Sequence, residues 1–281
     1  MKLLRYGPKG QEKPGLLDGE GRIRDLQGVV PDIAGETLCG DGLDRLRALD
    51  PESLPLVDGH PRLGPCVGSV GKFIAIGLNY SDHAAETGLP IPAEPVIFMK
   101  AASCISGPND PVVIPPGSTK LDWEVELGIV IGKAGANIAA DAWQDHVAGY
   151  CVVNDVSERS FQIDGTGQWV KGKSADSFGP AGPWLVTRDA VPDPQNLALW
   201  LEVDGKRYQD GHTGTMIFSV SHLVPYVSRF MSLQPGDIIT TGTPPGVGLG
   251  QEPPVFLKAG QRMRLGVEGL GEQEQEVVAH A

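Results

Sequence analysis

In the stretch LDWEVELGIVIG, residues 121–132, three acids stand at alternate positions: Asp122, Glu124 and Glu126. Side chains at i and i+2 of an extended strand share a face, so Glu124 and Glu126 project together, with Asp122 beside them. Trp123, Val125 and Leu127 then form an apolar opposite face. Carboxylates gathered on one face repel one another, so that face either opens to water or closes on a cation. Oxygen-only donors suit Mg²⁺, Mn²⁺ or Ca²⁺ better than zinc.

Other stretches offer further chemistry. The apolar run YCVVND ends in Asp155, with Asn154 before it and Arg159 and Gln162 after it, a position that suits a metal ligand and equally a turn cap. In GLNYSDHAAETG, Ser81 can cap a short helix that Gly88 ends, which makes His83 and Glu86 neighbours at i and i+3. A carboxylate accepting from one imidazole nitrogen leaves the other free to take a proton from water, although a surface ion pair is the plainer reading. WVKGKSADSFGPAGPW holds Lys171 and Lys173 in a Gly/Ser loop. A lysine beside a cation site can neutralise a substrate carboxylate or a developing enolate, and simple solvation is the plainer reading, favoured for Lys171. PGDIITTGTPPGVG ends a strand in Thr-Gly-Thr-Pro, where backbone N–H groups and hydroxyls can meet an anion or merely turn the chain.

Short strands must position these groups. PVIFMK, EVELGIVIG, AGYCVVND, LALWLEV, DIITTG and RMRLGVEG are each bounded by Pro, Gly or Asp, and FIAIGLNY reads as a further buried strand. Hairpins are predicted at Asp18-Gly19 and Asp204-Gly205. Helices are fewer: LDRLRAL with Leu43, Leu46 and Leu49 on one face, a turn or two in SDHAAETG, a piece near AADAWQDH, and VSHLVPYVSRFMS, whose apolar spacing runs from Val220 to Met231 across Pro225. Strands without regular βαβ alternation argue against a doubly wound sheet. A soft boundary near Val67 separates a small N-terminal α+β domain, 1–67, from a catalytic domain, 68–281.

The 281 residues carry 23 Lys+Arg against 35 Asp+Glu, a net charge of −12 that repels nucleic acid and anionic membranes. Four scattered cysteines without a C-x-x-C pair suit reduced thiols, and with no apolar leader or membrane-length run they point to a cytoplasmic protein.

Taken in order, GLNYSDHAAE, FMKAASCISGP, DWEVELGIVIG, NDVSERSFQ, KGKSADSFGPAGPW, QDGHTGTMIF and LQPGDIITTGTPPGVG resemble the fumarylacetoacetate hydrolase family over residues 70–280. Its members hydrolyse, decarboxylate or isomerise acylpyruvate-like substrates. The resemblance implies a mixed, β-rich fold with a β-roll core and a few short helices. It implies Glu124, Glu126 and Asp155 as ligands of Mg²⁺, with Mn²⁺ as the alternative, and leaves Asp122 outside that set. His83, Glu86 and Lys173 match the catalytic positions, and Asn79, Tyr80, Lys100, Arg159, Gln162 and Thr243 fall at substrate-binding ones. The expected activity is metal-dependent cleavage of the C3–C4 bond of a 2,4-dioxo acid to pyruvate and a carboxylic acid. Resemblance to the branch acting on 2,4-diketo-3-deoxy-L-rhamnonate or L-fuconate favours a hydroxylated tail, with Asn79, Ser106 and His212 as its polar partners. Oxaloacetate-type decarboxylation, dienedioate isomerisation, ureidoglycolate lysis and non-catalytic binding are the competing readings. Relatives pair, so a homodimer or higher homo-oligomer is expected.

Overall fold

A computed structural model describes residues 1–82 and 90–280. Among the described residues two large sheets and one two-stranded ribbon build the molecule. The larger runs in the order Ile23–Asp25, Lys13–Leu17, Lys2–Tyr6, Gly179–Thr187, Val147–Asn154, Val125–Ile131, Ile238–Thr240, Phe73–Gly77 and Val96–Lys100, with Ile105–Ser106 joined to Gly179–Thr187. The smaller runs Lys206–His212, Ala198–Val203, Arg262–Val267, Gly271–Val278 and Val112–Val113. Helices are short: Gly40–Arg47, Arg159–Ile163, Val170–Lys173 and Val220–Ser228 among the described residues. The fold is thus mixed and β-rich. Among those residues no helix is long and apolar enough to cross a membrane.

Val125–Ile131 and Val147–Asn154 are buried at every position, which is why both read as nearly continuous apolar runs. They pair antiparallel with Val153 opposite Glu126 and Asn154 opposite Val125. That register brings the next residue, Asp155, beside Glu124, and the Asp155 N–H donates to Glu124 O at 2.9 Å. A slip by one residue would turn every side chain to the other face. Buried glutamines from the smaller sheet fasten this pair. Gln209 Oε1 accepts from Val125 N at 2.9 Å, Gln275 Oε1 accepts from Asn154 Nδ2 at 3.0 Å, and Gln273 Nε2 donates to Val152 O at 2.8 Å.

Residues 1–67 extend the edge of the larger sheet through Lys2–Tyr6, which pairs antiparallel with Gly179–Thr187. The Asp204-Gly205 hairpin forms as predicted. At the other hairpin the turn spans residues 18–22 rather than two, because the Asp18 carboxylate accepts from the N–H groups of Glu20 and Arg22. Helix Val220–Ser228 continues through Pro225 but stops before Phe230, which is exposed; Met231 also lies past its end. Leu49 likewise falls beyond Gly40–Arg47, and the segment near AADAWQDH is only a single 3-10 turn, Trp143–His146.

Candidate active site and cation centre

Glu124, Glu126 and Asp155 each present a carboxylate oxygen within 4.8 Å of the others, and all three are buried. They form the floor of a cavity of about 130 Å³. Its size suits a small molecule rather than a nucleotide or polymer, since drug-sized ligands occupy about 300–1,000 Å³.

Two short helices bring cations to this floor. Leu121–Asp122 pairs with Ser157–Glu158, and the Glu158 carboxylate then accepts from Ser160 N, capping Arg159–Ile163. Arg159 and Gln162, three residues apart, face the site together, with Arg159 Nη1 donating to Gln162 Oε1 at 3.0 Å. Arg159 also donates to Asp122 at 2.8 Å and to Glu124 at 2.6 Å. The second helix, Val170–Lys173, packs closely on the first through Gly172, where a Cβ would stand 2.5 Å from both Gln162 Cβ and Glu158 O. That approach carries Lys173 Nζ to 2.7 Å from Glu124 and 2.8 Å from Asp155. From behind, Lys100 Nζ donates to Asp155 at 2.5 Å.

The charges do not balance evenly. Burial opposes ionisation of Glu124, but the Lys173 ammonium and the Arg159 guanidinium outweigh it and hold this carboxyl down at about 2. Burial likewise opposes charge on Lys173, yet Asp155 and Glu124 hold its pKa above the ordinary value, so it is an ammonium and not a free amine base. Glu126 has only neutral partners among the described residues: the Thr240 hydroxyl and the Gly242 N–H, at 2.8 Å, both donate to it. Burial, then the Asp155 and Glu124 charges, push its carboxyl well above the ordinary range. A buried carboxylate with no direct ion pair among the described residues, within reach of two others, fits a divalent cation. Because such an ion displaces the Glu126 proton, its apparent affinity is expected to rise about tenfold per pH unit while Glu126 is protonated, then level off. Calorimetry with Mn²⁺ at several pH values checks this; a flat profile would mean that no proton is displaced.

Not every expected residue reaches the cavity. Arg159, Gln162, Lys173 and Thr243 line it. The Thr243 hydroxyl is already engaged, donating to Val125 O at 2.9 Å and accepting from Gln209 Nε2 at 2.8 Å. Asn79, Tyr80 and Lys100 stand behind the wall rather than in it. The Asn79 amide is consumed by backbone: its Nδ2 donates to Phe218 O and Thr241 O, and its Oδ1 accepts from Phe218 N. Tyr80 is fully buried, and burial raises its phenol well above the usual range, so it stays neutral. His83 and Glu86 lie outside the described residues.

Asp122, which the spacing picks out but gives no role, and Thr240, which it does not pick out, touch the site's charged groups. Asp122 is fully buried; besides holding Arg159 it accepts from Gly248 N at 2.6 Å and Leu249 N at 3.0 Å. It therefore joins the guanidinium to the loop that closes one side of the cavity. Its signal was the third acid of D-x-E-x-E. Asp122→Asn is expected to lower kcat/KM about 10–100-fold, the range for partners that orient a ligating group, while steady-state kinetics retain the same products. An unchanged kcat/KM would remove Asp122 from this role.

Residues 72–278 match the family model for the fumarylacetoacetate hydrolase C-terminal domain. Over 276 residues the chain is 67% identical to a Burkholderia multivorans protein provisionally named a hydrolase, covering 98% of each. It superposes on fumarylacetoacetate hydrolase from the psychrophile Exiguobacterium antarcticum with TM-score 0.89 and 34% identity over 100% of both chains. On maleylpyruvate hydrolase from Sphingobium sp. SYK-6, solved with manganese(II) and pyruvate, the TM-score is 0.82 and the identity 31%, again over 100% of both.

Proposed function

The chain belongs to the fumarylacetoacetate hydrolase family, and on that premise we propose that it hydrolyses the C3–C4 bond of a 2,4-dioxo acid in a divalent-cation-dependent reaction, releasing pyruvate and a carboxylic acid. The observation carrying this reading is the buried group Glu124, Glu126 and Asp155 at the floor of a small cavity, flanked by Lys173 and Arg159. Those three carboxylates would hold the cation, Mg²⁺ or, as in the manganese complex of the Sphingobium relative, Mn²⁺. When bound, it supplies Lewis-acid polarisation of the C2 carbonyl and charge to balance the enolate.

The chain's own groups do the rest. Arg159 and Gln162, which line the cavity, receive the C1 carboxylate, with Thr243 lining the cavity as well but its hydroxyl already committed to Val125 O. Lys173, kept cationic, donates toward negative charge developing on the substrate oxygens. His83, for which the H-x-x-E spacing of the sequence offers Glu86 as a carboxylate partner, takes a proton from water, and the resulting hydroxide adds to the C4 carbonyl. The C3–C4 bond then breaks, its electron pair passing into the enolate across C2 and C3, and protonation at C3 gives pyruvate. One water is consumed. Lys100 acts at one remove, by holding Asp155.

The test is product analysis by NMR with 2,4-dioxohexanoate, oxaloacetate and a dienedioate side by side, with Mn²⁺ and with chelator. Stoichiometric pyruvate and propanoate, formed only with the ion, is the expected result. Carbon dioxide from oxaloacetate alone, or double-bond migration without cleavage, would transfer the reading to a decarboxylase or an isomerase. A cytoplasmic homodimer is part of the proposal, and light scattering checks the assembly.

A further inference from the structure

Beyond its carboxylate floor the cavity is a hydrocarbon surface formed by Phe98, Ile163, Trp169, Val247 and Leu249. The change is abrupt. Lys173 Nζ lies 5.3 Å from the Phe98 ring centroid, and Trp169 meets Phe98 edge-on with centroids 5.2 Å apart. The Phe98 ring thus touches both the Lys173 ammonium and the Trp169 indole. Trp169 is seated against Gly77, where a Cβ would come within 2.4 Å of the indole. The polar side chains expected to serve a hydroxylated tail are elsewhere. Asn79 is spent on backbone, Ser106 lines a separate cavity with Lys9 and Asp176, and His212 Nδ1 accepts from Gly214 N.

We propose that this site, given the dioxo-acid reading above, selects a short hydrocarbon group without hydroxyls on C4, and that Trp169, seated on Gly77, is its specificity-determining wall. A methylene carried there gains from burial. A hydroxyl loses its water and meets, among the described residues of that wall, no side-chain acceptor and no donor but the Trp169 indole N–H, so it is penalised by unmade hydrogen bonds.

The test compares 2,4-dioxohexanoate with 5-hydroxy-2,4-dioxohexanoate, which differ by one hydroxyl, in the presence of Mn²⁺. The hydrocarbon acid is expected to show a kcat/KM about 10–100-fold higher, carried mainly by KM. Trp169→Gln should bring the ratio toward one, and Gly77→Ala, by pushing the indole into the cavity, should raise KM for the hydrocarbon acid about tenfold. Mn²⁺ titration of both variants reports whether the carboxylate floor is intact. An equal or higher kcat/KM for the hydroxy acid overturns the proposal while leaving dioxo-acid hydrolysis standing. An unchanged ratio in Trp169→Gln with Mn²⁺ binding retained overturns the assignment to Trp169. If neither acid is cleaved, the hydrolase reading falls, and calorimetric affinities decide the tail. Tighter binding of the hydrocarbon acid then supports the proposal, and equal, reversed or absent binding overturns it.

Discussion

Lys173→Met is expected to destabilise the ion-free protein by about 3–5 kcal/mol, the usual result of removing one partner from a buried ion pair, and at the same time to bind Mn²⁺ more tightly than the unaltered chain. The two effects share one cause. Lys173 Nζ lies between Glu124 and Asp155, within 2.8 Å of each, and is itself almost fully buried. Without it, those carboxylates keep Arg159 and Lys100 as partners but lose the charge that faces them both. An arriving divalent ion then meets less repulsion. At an effective dielectric near 20, two unit charges about 4 Å apart interact by roughly 4 kcal/mol, so even a strongly screened effect gives about tenfold tighter binding. Turnover should nevertheless fall about 10²–10³-fold, the range for loss of one donor to a developing oxyanion. Urea unfolding with and without Mn²⁺, alongside calorimetry, separates these outcomes. Weaker Mn²⁺ binding in the variant would show that Lys173 supports the ion rather than standing in for its charge.

Glu126→Gln should behave in the opposite way. Burial and the Asp155 and Glu124 charges raise the Glu126 carboxyl and favour its neutral form in the ion-free site, so a neutral amide of the same shape should leave the ion-free protein within about 1 kcal/mol of the original. The variant loses a carboxylate only when an ion arrives. Using the same Coulomb scale, Mn²⁺ affinity should fall about 10³-fold, and activity at limiting metal should fall with it. Glu124→Gln supplies the contrast. Glu124 is ionised and paired with Lys173 and Arg159, so its amide should cost stability as well as affinity. Equal stability losses in the two variants would contradict the protonation difference on which this prediction rests.

Local pattern carried much of the fold. The apolar runs at Val125–Ile131 and Val147–Asn154 have few alternatives to being buried strands. The Asp204-Gly205 hairpin was equally readable, since that dipeptide strongly favours a tight two-residue turn. Element ends were harder. Helix Val220–Ser228 stops short of Phe230 although the apolar spacing continues, because periodicity records which residues could share a face and not where neighbouring elements cease to cover it. At Asp18 the side chain, through its bonds to backbone and to Arg24, decided the turn length.

What the sequence determined by itself was the chemical inventory: which acids alternate, which cations follow them, and which runs must be buried. Spacing along a strand sets the direction of neighbouring side chains, and that is local geometry. Only the tertiary structure decided the pairing. The Val125–Ile131 and Val147–Asn154 register brings Asp155 to Glu124, and the close packing at Gly172 delivers Lys173 between them. It also moved Asn79 out of the cavity, where backbone carbonyls consume its amide, and set Trp169 against Gly77 as an apolar wall. These contacts join residues tens of positions apart. Their distances depend on how sheets and short helices pack, and no local pattern records that.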